Sequence, residues 1–418
     1  MFPSKTLLST VLIALSVVDA SPLRRESSST LGFTARVNAR VDTLNIAAAD
    51  RARAQAMQQF GHANKRAGSS SFSITNAATV YTAQVGVGSP ANQYTLLIDT
   101  GSSNTWVGAN TPYKTTSTSV DTGNSVSVNY GSGSFSGEEY LDTVTLSSGL
   151  VITGQSIGAA KTSTGFTNFD GILGVGPADL TQGTVSNVDS VPTVTDNLYS
   201  KGTIGTEALG VYFAPGGSAG ELTFGGSDSS KTTSSVNYVP LTTTSPASSY
   251  WGIDQSITYG TSTILSATAG IVDTGTTLIL IATDAFQKYQ SATGATVDNN
   301  TGLLMITSAQ YANLQTLNFN IGGVNYGLTA NGQIWPRSLN TDIGGSSNNI
   351  YLVINDIGSN SGSGLDFING YSFLYVFKDL VWYKADHLPY SQRFYSVFDT
   401  TEHRVGFATT SSTSATSN

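Results

Sequence analysis

The sequence predicts an all-β protein built as two related lobes, and three observations carry that expectation. Glycine is abundant (44 of 418 residues) while charged residues make up only 11%, a balance typical of short strands and turns. Apolar runs throughout the chain are short and bounded by Gly, Ser, Thr, Asn and Asp. One such run occurs twice: residues 96–109 read LLIDTGSSNTWVGA and residues 270–282 read GIVDTGTTLILIA. Each is an apolar strand that delivers Asp-Thr-Gly and is followed by a second apolar run. A hydrophobic fraction of 39%, with 19 Tyr and 17 Phe, is enough to build cores and argues against disorder.

From the N-terminus, Lys5 precedes an apolar stretch from Leu7 to Val18 and then Val-Asp-Ala, the pattern of a secretory signal cut after Ala20. The stretch is well short of the roughly 20 residues that span a bilayer. Between Ser21 and Arg66 stand eight basic residues (Arg24, Arg25, Arg36, Arg40, Arg51, Arg53, Lys65, Arg66) against three acids, a net of +5; from Ala67 onward the balance is −13. The piece NIAAADRARAQAMQQF has helical composition, and Lys65-Arg66 offers a dibasic processing site. Residues 21–66 therefore read as a propeptide. A nucleic-acid-binding arm is the weaker reading, because a signal precedes the segment and the rest of the chain is acidic. The chain has no cysteine, so packing and hydrogen bonds must hold every loop.

The repeat carries the chemistry. A carboxylate at the tip of a buried strand needs donors, and a Gly after it lets the backbone fold so that amides point back at it. If two such tips meet across a pseudo-twofold axis, Asp99 and Asp273 become neighbouring carboxyls that cannot both ionise easily and so share one proton. Such a pair holds an acid and a base at once and can activate a water while protonating the carbonyl it attacks. Competing chemistries lack parts. With His62, His387 and His403 as the only histidines and no Cys, a zinc site or a Cys/His or Ser/His/Asp nucleophile has almost nothing to be built from. No cofactor or metal is expected.

At these motifs the chain resembles the pepsin-type aspartic endopeptidases, and its Cys-free, Ser/Thr-rich body is similar to the secreted members from basidiomycete fungi. That family is itself the standard example of a shared carboxyl proton. The resemblance covers residues 67–418 apart from 375–391. It implies a bilobal pepsin-like fold with the active-site cleft between an N-terminal lobe (67–245) and a C-terminal lobe (246–418). Carried over position by position, Asp99 and Asp273 match the catalytic pair and Thr100 and Thr274 the residues that interlock beneath it. Gly101 and Gly275 match the amide donors, and Ser102 and Thr276 the hydroxyls on the outer carboxylate oxygens. VNYGSGSFSGE resembles the flap that closes over substrate, with Tyr130 at its tip, then Gly131 and Ser132, and Trp106 as hydrogen-bond partner of Tyr130. On its own, Tyr130 would read as an ordinary hairpin aromatic. A phosphate loop is ruled out, since no Lys or helix start follows. Ile172-Leu173-Gly174 and Ile368-Asn369-Gly370 match the element that completes the centre of each lobe.

Departures from the family pattern also inform. Ser132 stands where many fungal members have an Asp that accepts Lys, so a preference for large apolar side chains at the scissile bond is expected. Asn369 and Tyr371 replace residues of a common Leu-Gly-Asp, for which altered packing without lost chemistry is expected. The charge asymmetry predicts a propeptide held across an acidic cleft at neutral pH and released in acid. Expected partners are protein or peptide substrates, with no nucleic acid and no membrane, and a monomeric chain. Asn299 heads the one glycosylation sequon, Asn-Asn-Thr. Two other classes compete: a catalytically impaired protease-like binding or inhibitor protein, and a secreted carbohydrate-binding or wall protein. The first would usually lose an Asp, the flap Tyr or a Thr-Gly, all of which are present; the second has no use for paired Asp-Thr-Gly. Finally, residues 375–391 crowd four charges into 17 positions, against 29 in the other 335 of the mature part. Leu374-Tyr375-Val376 can be encoded with the splice donor GTATGT and Tyr390-Ser391 with the acceptor TACAG, in frame, so the run reads as a retained intron, with a genuine surface insertion as the alternative.

Overall fold

The computed structural model describes residues 29–37, 45–63, 79–130, 133–213, 220–374 and 393–414. The signal, the Lys65-Arg66 junction, Gly131, Ser132 and residues 375–391 lie outside them. The fold is mostly β and bilobal, with few helices. Its centre is the same small arrangement made twice. The strand Asn92–Asp99 runs parallel to Gly171–Gly174, with Ile98 beside Leu173 and Asp99 beside Gly174, and Thr105–Val107 pairs antiparallel to the latter. In the second lobe Ser262–Val272 runs parallel to Phe367–Asn369, with Ile271 beside Ile368 and Val272 beside Asn369, and Ile279–Ile281 pairs antiparallel to it. Burial alternates along Asn92–Asp99, with Tyr94, Leu96 and Ile98 inside and Thr95 and Leu97 partly so, whereas residues 269–272 are buried on both faces and accordingly carry no polar side chain. Each lobe therefore turns at Asp-Thr-Gly, at the carboxyl end of a buried strand.

The described strands fall into sheets of thirteen, seven and three. The largest joins distant parts of the sequence: Phe394–Asp399 pairs with Ala208–Tyr212 on one side and Arg404–Thr409 on the other. It also takes in residues read as propeptide. Ser29–Val37 pairs antiparallel with Gly220–Phe224 and with Thr79–Val87. Leu31 and Phe33 are buried, and Phe33 packs edge-on against Tyr81 and Phe213 at 5.4 and 5.5 Å. Fully burying such a side chain stabilises by about 1.5–3 kcal/mol. Gly220 is required here, since a Cβ would fall 2.1 Å from the Phe33 ring.

The Ala-rich piece forms the helix Ile46–Ala63, begun by Asn45, whose side-chain oxygen accepts the Ala48 N–H at 2.9 Å. Its buried stripe is Ile46, Ala49, Asp50, Arg53, Ala54 and Met57, the spacing of one helical face. Two charged residues in that stripe demand partners, and the cleft supplies them.

At the edges of 375–391, the Arg393 N–H donates to the Leu374 carbonyl at 3.1 Å and the Phe373 and Phe394 rings lie 5.1 Å apart. The flanks thus already meet. With residues 375–391 removed, Gln392 alone would span them, which is the geometry of a γ-turn. The deletion variant is expected to fold, with a thermal midpoint within about 4 °C of the full chain or above it. A circular-dichroism melt checks this, and a variant that fails to fold would show the run to be integral.

Candidate active site

The two Asp-Thr-Gly loops meet at the floor of the cleft. The Thr100 N–H donates to Thr274 Oγ1 at 3.1 Å and the Thr274 N–H to Thr100 Oγ1 at 2.9 Å. Each hydroxyl in turn reaches a carbonyl of the opposite strand, Val272 and Ile98. This reciprocal lock ties the lobes together beneath two carboxyls that have no exposure. Asp99 Oδ1 accepts the Gly101 N–H at 2.9 Å and Asp99 Oδ2 the Ser102 hydroxyl at 2.6 Å. Asp273 repeats the pattern with the Gly275 N–H at 3.0 Å and the Thr276 hydroxyl at 2.5 Å. The glycines serve a second end: a Cβ on Gly101 would lie 2.5 Å from Asp273 Oδ1, and one on Gly275 2.5 Å from Asp99 Oδ1. Only residues without a side chain let the loops approach this closely.

The space between the carboxyls is filled by Arg53, from the helix Ile46–Ala63. Its Nη2 donates to both inner oxygens, Asp99 Oδ1 at 2.7 Å and Asp273 Oδ1 at 3.1 Å, and its Nε to Asp273 Oδ2 at 2.8 Å. Arg53 is 5% exposed, so these contacts act with little screening. Burial pushes Asp99 above the usual carboxyl range, since the attraction of Arg53 does not offset it and Asp273 adds to the rise. Burial pushes Asp273 the same way, but the charge and hydrogen bonds of Arg53, with those of Thr276 and Gly275, hold it below that range. The asymmetry follows the guanidinium, which places two of its three bonds on Asp273.

A third carboxyl joins them. Asp50, one turn before Arg53, is buried and accepts the Leu278 N–H at 2.7 Å. Burial pushes it up to about 7, against the Leu278 and Thr277 amides and Arg53; Asp273 adds to the rise. The rest of the helix docks mainly on the second half of the chain. Arg51 Nε reaches the Asp356 carbonyl at 3.1 Å, Gln58 the Ser359 hydroxyl at 2.8 Å, and the Tyr250 hydroxyl donates to the Met57 carbonyl at 3.2 Å.

Tyr130 stands where the hairpin of Val120–Asn129 and Ser134–Ser147 turns, its N–H donating to the Gly133 carbonyl at 2.6 Å. The Trp106 indole nitrogen and the Tyr130 hydroxyl do not reach full hydrogen-bond geometry, and their rings stack at 6.4 Å; burial pushes the Tyr130 hydroxyl well up, and the nearby Trp106 and Ser102 donors counter it. Trp106 is instead held by Phe135 at 4.2 Å and Phe166 at 4.8 Å. Tyr371 is buried, its N–H donating to the Thr276 carbonyl at 2.7 Å and its hydroxyl meeting that of Tyr81. Asn299 is exposed in the turn between Thr296–Val297 and Leu304–Ile306.

Comparison with known proteins agrees with this geometry. Residues 80–344 match the family described as eukaryotic aspartyl protease, and the chain is 61% identical to polyporopepsin of Irpex lacteus over 351 residues, spanning 82% of this chain and 98% of that one. The chain belongs to the pepsin family of aspartic endopeptidases. The protease is also 30% identical to pepsin A of Sus scrofa over 351 residues, covering 79% and 81% of the two chains. The crystal structure of an aspartic proteinase from Irpex lacteus superimposes with a TM-score of 0.75 at 62% identity, over 81% of this chain and 96% of that one.

Sequence reasoning reached both carboxyls and their donors but singled out neither Arg53 nor Asp50. The available signal was an Asp three positions before an Arg within an Ala-rich helical run, which places both on one helix face. The pH behaviour of docking follows from these groups. Released, Asp50 returns to the ordinary carboxyl range, so docking takes up a proton there between about pH 4 and 7. That contribution is complete at the acid end and lost as pH rises through 7. Asp273 works in reverse: docking favours its ionised form and weakens as pH falls through its depressed pKa. After correction for intrinsic exchange, amide-exchange protection of the helix Ile46–Ala63 is expected to rise from about pH 8 to 5 in the native chain and to stay flat in Asp50→Asn. The same rise in both proteins would remove Asp50 from this account.

Proposed function

We propose that the protease works at acid pH through Asp99 and Asp273 and is made as a zymogen whose residues 21–66 close the cleft. The position of Arg53 Nη2 between the two inner oxygens carries this reading. That is where a water held by both carboxyls would lie. In the open enzyme the pair holds one proton. The ionised carboxyl takes a proton from the water as its oxygen attacks the peptide carbonyl carbon, and the protonated one donates to the carbonyl oxygen. Collapse of the tetrahedral intermediate breaks the C–N bond, with a proton passing to the leaving nitrogen. Gly101, Ser102, Gly275 and Thr276 keep the oxygens aimed during this exchange, and Thr100 and Thr274 keep the loops in register.

The wall under the flap supports a preference for large hydrophobic residues at the scissile bond: Tyr130, Phe135, Phe166, Phe169 and Ile172 cluster around Trp106, and Ser132 brings no charge to attract Lys. With Gly131 it belongs to the flap. A signal at residues 1–20 and a processing site at Lys65-Arg66 fit secretion as a monomer, with Asn299 as a glycosylation acceptor. Among the described residues, no helix is long and apolar enough to cross a membrane. Acid opens the zymogen by protonating Asp273, which removes the ionic partner of Arg53.

Asp99→Asn and Asp273→Asn are each expected to lower kcat on a peptide by at least about a thousandfold without unfolding the chain. Arg53→Ala, which leaves the carboxyls unplugged, is expected to hydrolyse peptide at about pH 6, where the parent zymogen stays closed, and to be blocked by a statine-type transition-state analogue. Unchanged latency of Arg53→Ala would overturn the plug, and undiminished kcat in either Asp variant would overturn the dyad.

A further inference from the structure

Asp273 is tied to its lobe by its backbone as well as its carboxyl: its N–H donates to the Asn369 carbonyl at 3.2 Å. The Asn369 side chain, fully buried, faces that of Gln255, 2% exposed. The two amides bond reciprocally, Asn369 Nδ2 to Gln255 Oε1 at 2.7 Å and Gln255 Nε2 to Asn369 Oδ1 at 3.0 Å. Gln255 lies on Gly252–Tyr259, which pairs with Ser262–Val272 from the side opposite Phe367–Asn369. The amide pair therefore joins the two strands that flank the one carrying Asp273. The first lobe has no counterpart. There the position equivalent to Asn369, read from the pairing of Ile98 with Leu173 and of Val272 with Asn369, is a fully buried leucine.

Resting on the dyad reading, we propose that Gln255 and Asn369 are positioning residues for Asp273, an amide clamp that fixes its strand against both neighbours. A leucine at such a site tolerates small sliding, because dispersion contacts have no direction. A reciprocal amide pair does not, since either bond is lost within a fraction of an ångström and a buried amide without a partner is costly. Neither amide titrates in the working range of a carboxyl dyad, so the clamp persists in acid, where carboxylate-based locks weaken.

The test uses Gln255→Leu, Asn369→Leu, the double variant and Gln255→Glu, with active sites counted by titration with a statine-type inhibitor and Asp273→Asn as the separate check on the dyad. Each single leucine variant strands one buried amide and is expected to lower both the melting temperature and kcat. The double variant strands none and is expected to regain the melting temperature, while kcat per titrated site stays about tenfold down with KM unchanged. In Gln255→Glu the protonated acid can still pair with Asn369. Its kcat is then expected to approach the parent value at the acid end and to fall as pH rises through the carboxyl range, ahead of the parent profile. Parental kcat in the double variant, or a Gln255→Glu profile that tracks the parent, would overturn the proposal. Full activity in Asp273→Asn would instead overturn the dyad reading beneath it.

Discussion

One guanidinium stands between two fully buried carboxyls, and much of the remaining structure serves to bring those three groups together. Removing an arginine and two carboxylates from water costs several kcal/mol per ion, and only close, well-directed bonds offset it. The Asp-Thr-Gly loops provide them, each carboxyl holding an amide and a hydroxyl besides Arg53. With Asp50 counted, three acids face one base. Burial raises Asp50 and Asp99 while Arg53 holds Asp273 down, so the charge state of the cleft is coupled to whether the helix Ile46–Ala63 is seated.

The segment that blocks the cleft is held at two places by different physics. Its strand, Ser29–Val37, is stitched into the thirteen-stranded sheet by backbone bonds and by burial of Leu31 and Phe33, terms that depend little on pH. Its helix is held by ionisable side chains, Asp50 and Arg53 against the cleft and Arg51 against Asp356. The two attachments therefore respond differently to pH, the helix strengthened through Asp50 and weakened through Asp273 as pH falls.

The duplicated architecture is close to symmetric at the loops and unequal just behind them. Thr100 and Thr274 exchange equivalent bonds, and the glycines approach the opposite carboxyl at the same distance. Behind the loops Leu173 faces a dry apolar core, whereas Asn369 sits in an amide pair. Two carboxyls related by symmetry would share one proton between equivalent sites, and unequal surroundings bias which of them holds it. Unequal surroundings are one way in which a repeated fold becomes an acid and a base.

Short-range chemistry was legible in the sequence. Asp-Thr-Gly behind an apolar run specifies a buried strand, a tight turn and a carboxyl with amide donors, so Asp99 and Asp273 could be named without coordinates, as could the all-β class and the helix of the Ala-rich run; Ser102 and Thr276 were implied by the resemblance to the family. Only the tertiary structure decided what depends on long-range register. Eight basic residues stand between Ser21 and Arg66, and helix phase together with the seat of Ser29–Val37 chose Arg53 from among them. Gln255 and Asn369 are 114 positions apart, and each reads as an unremarkable polar residue within a strand until the sheet places them side by side. A residue's neighbours in sequence fix its local conformation, but partners brought from elsewhere by packing fix its charge, its pKa and its role.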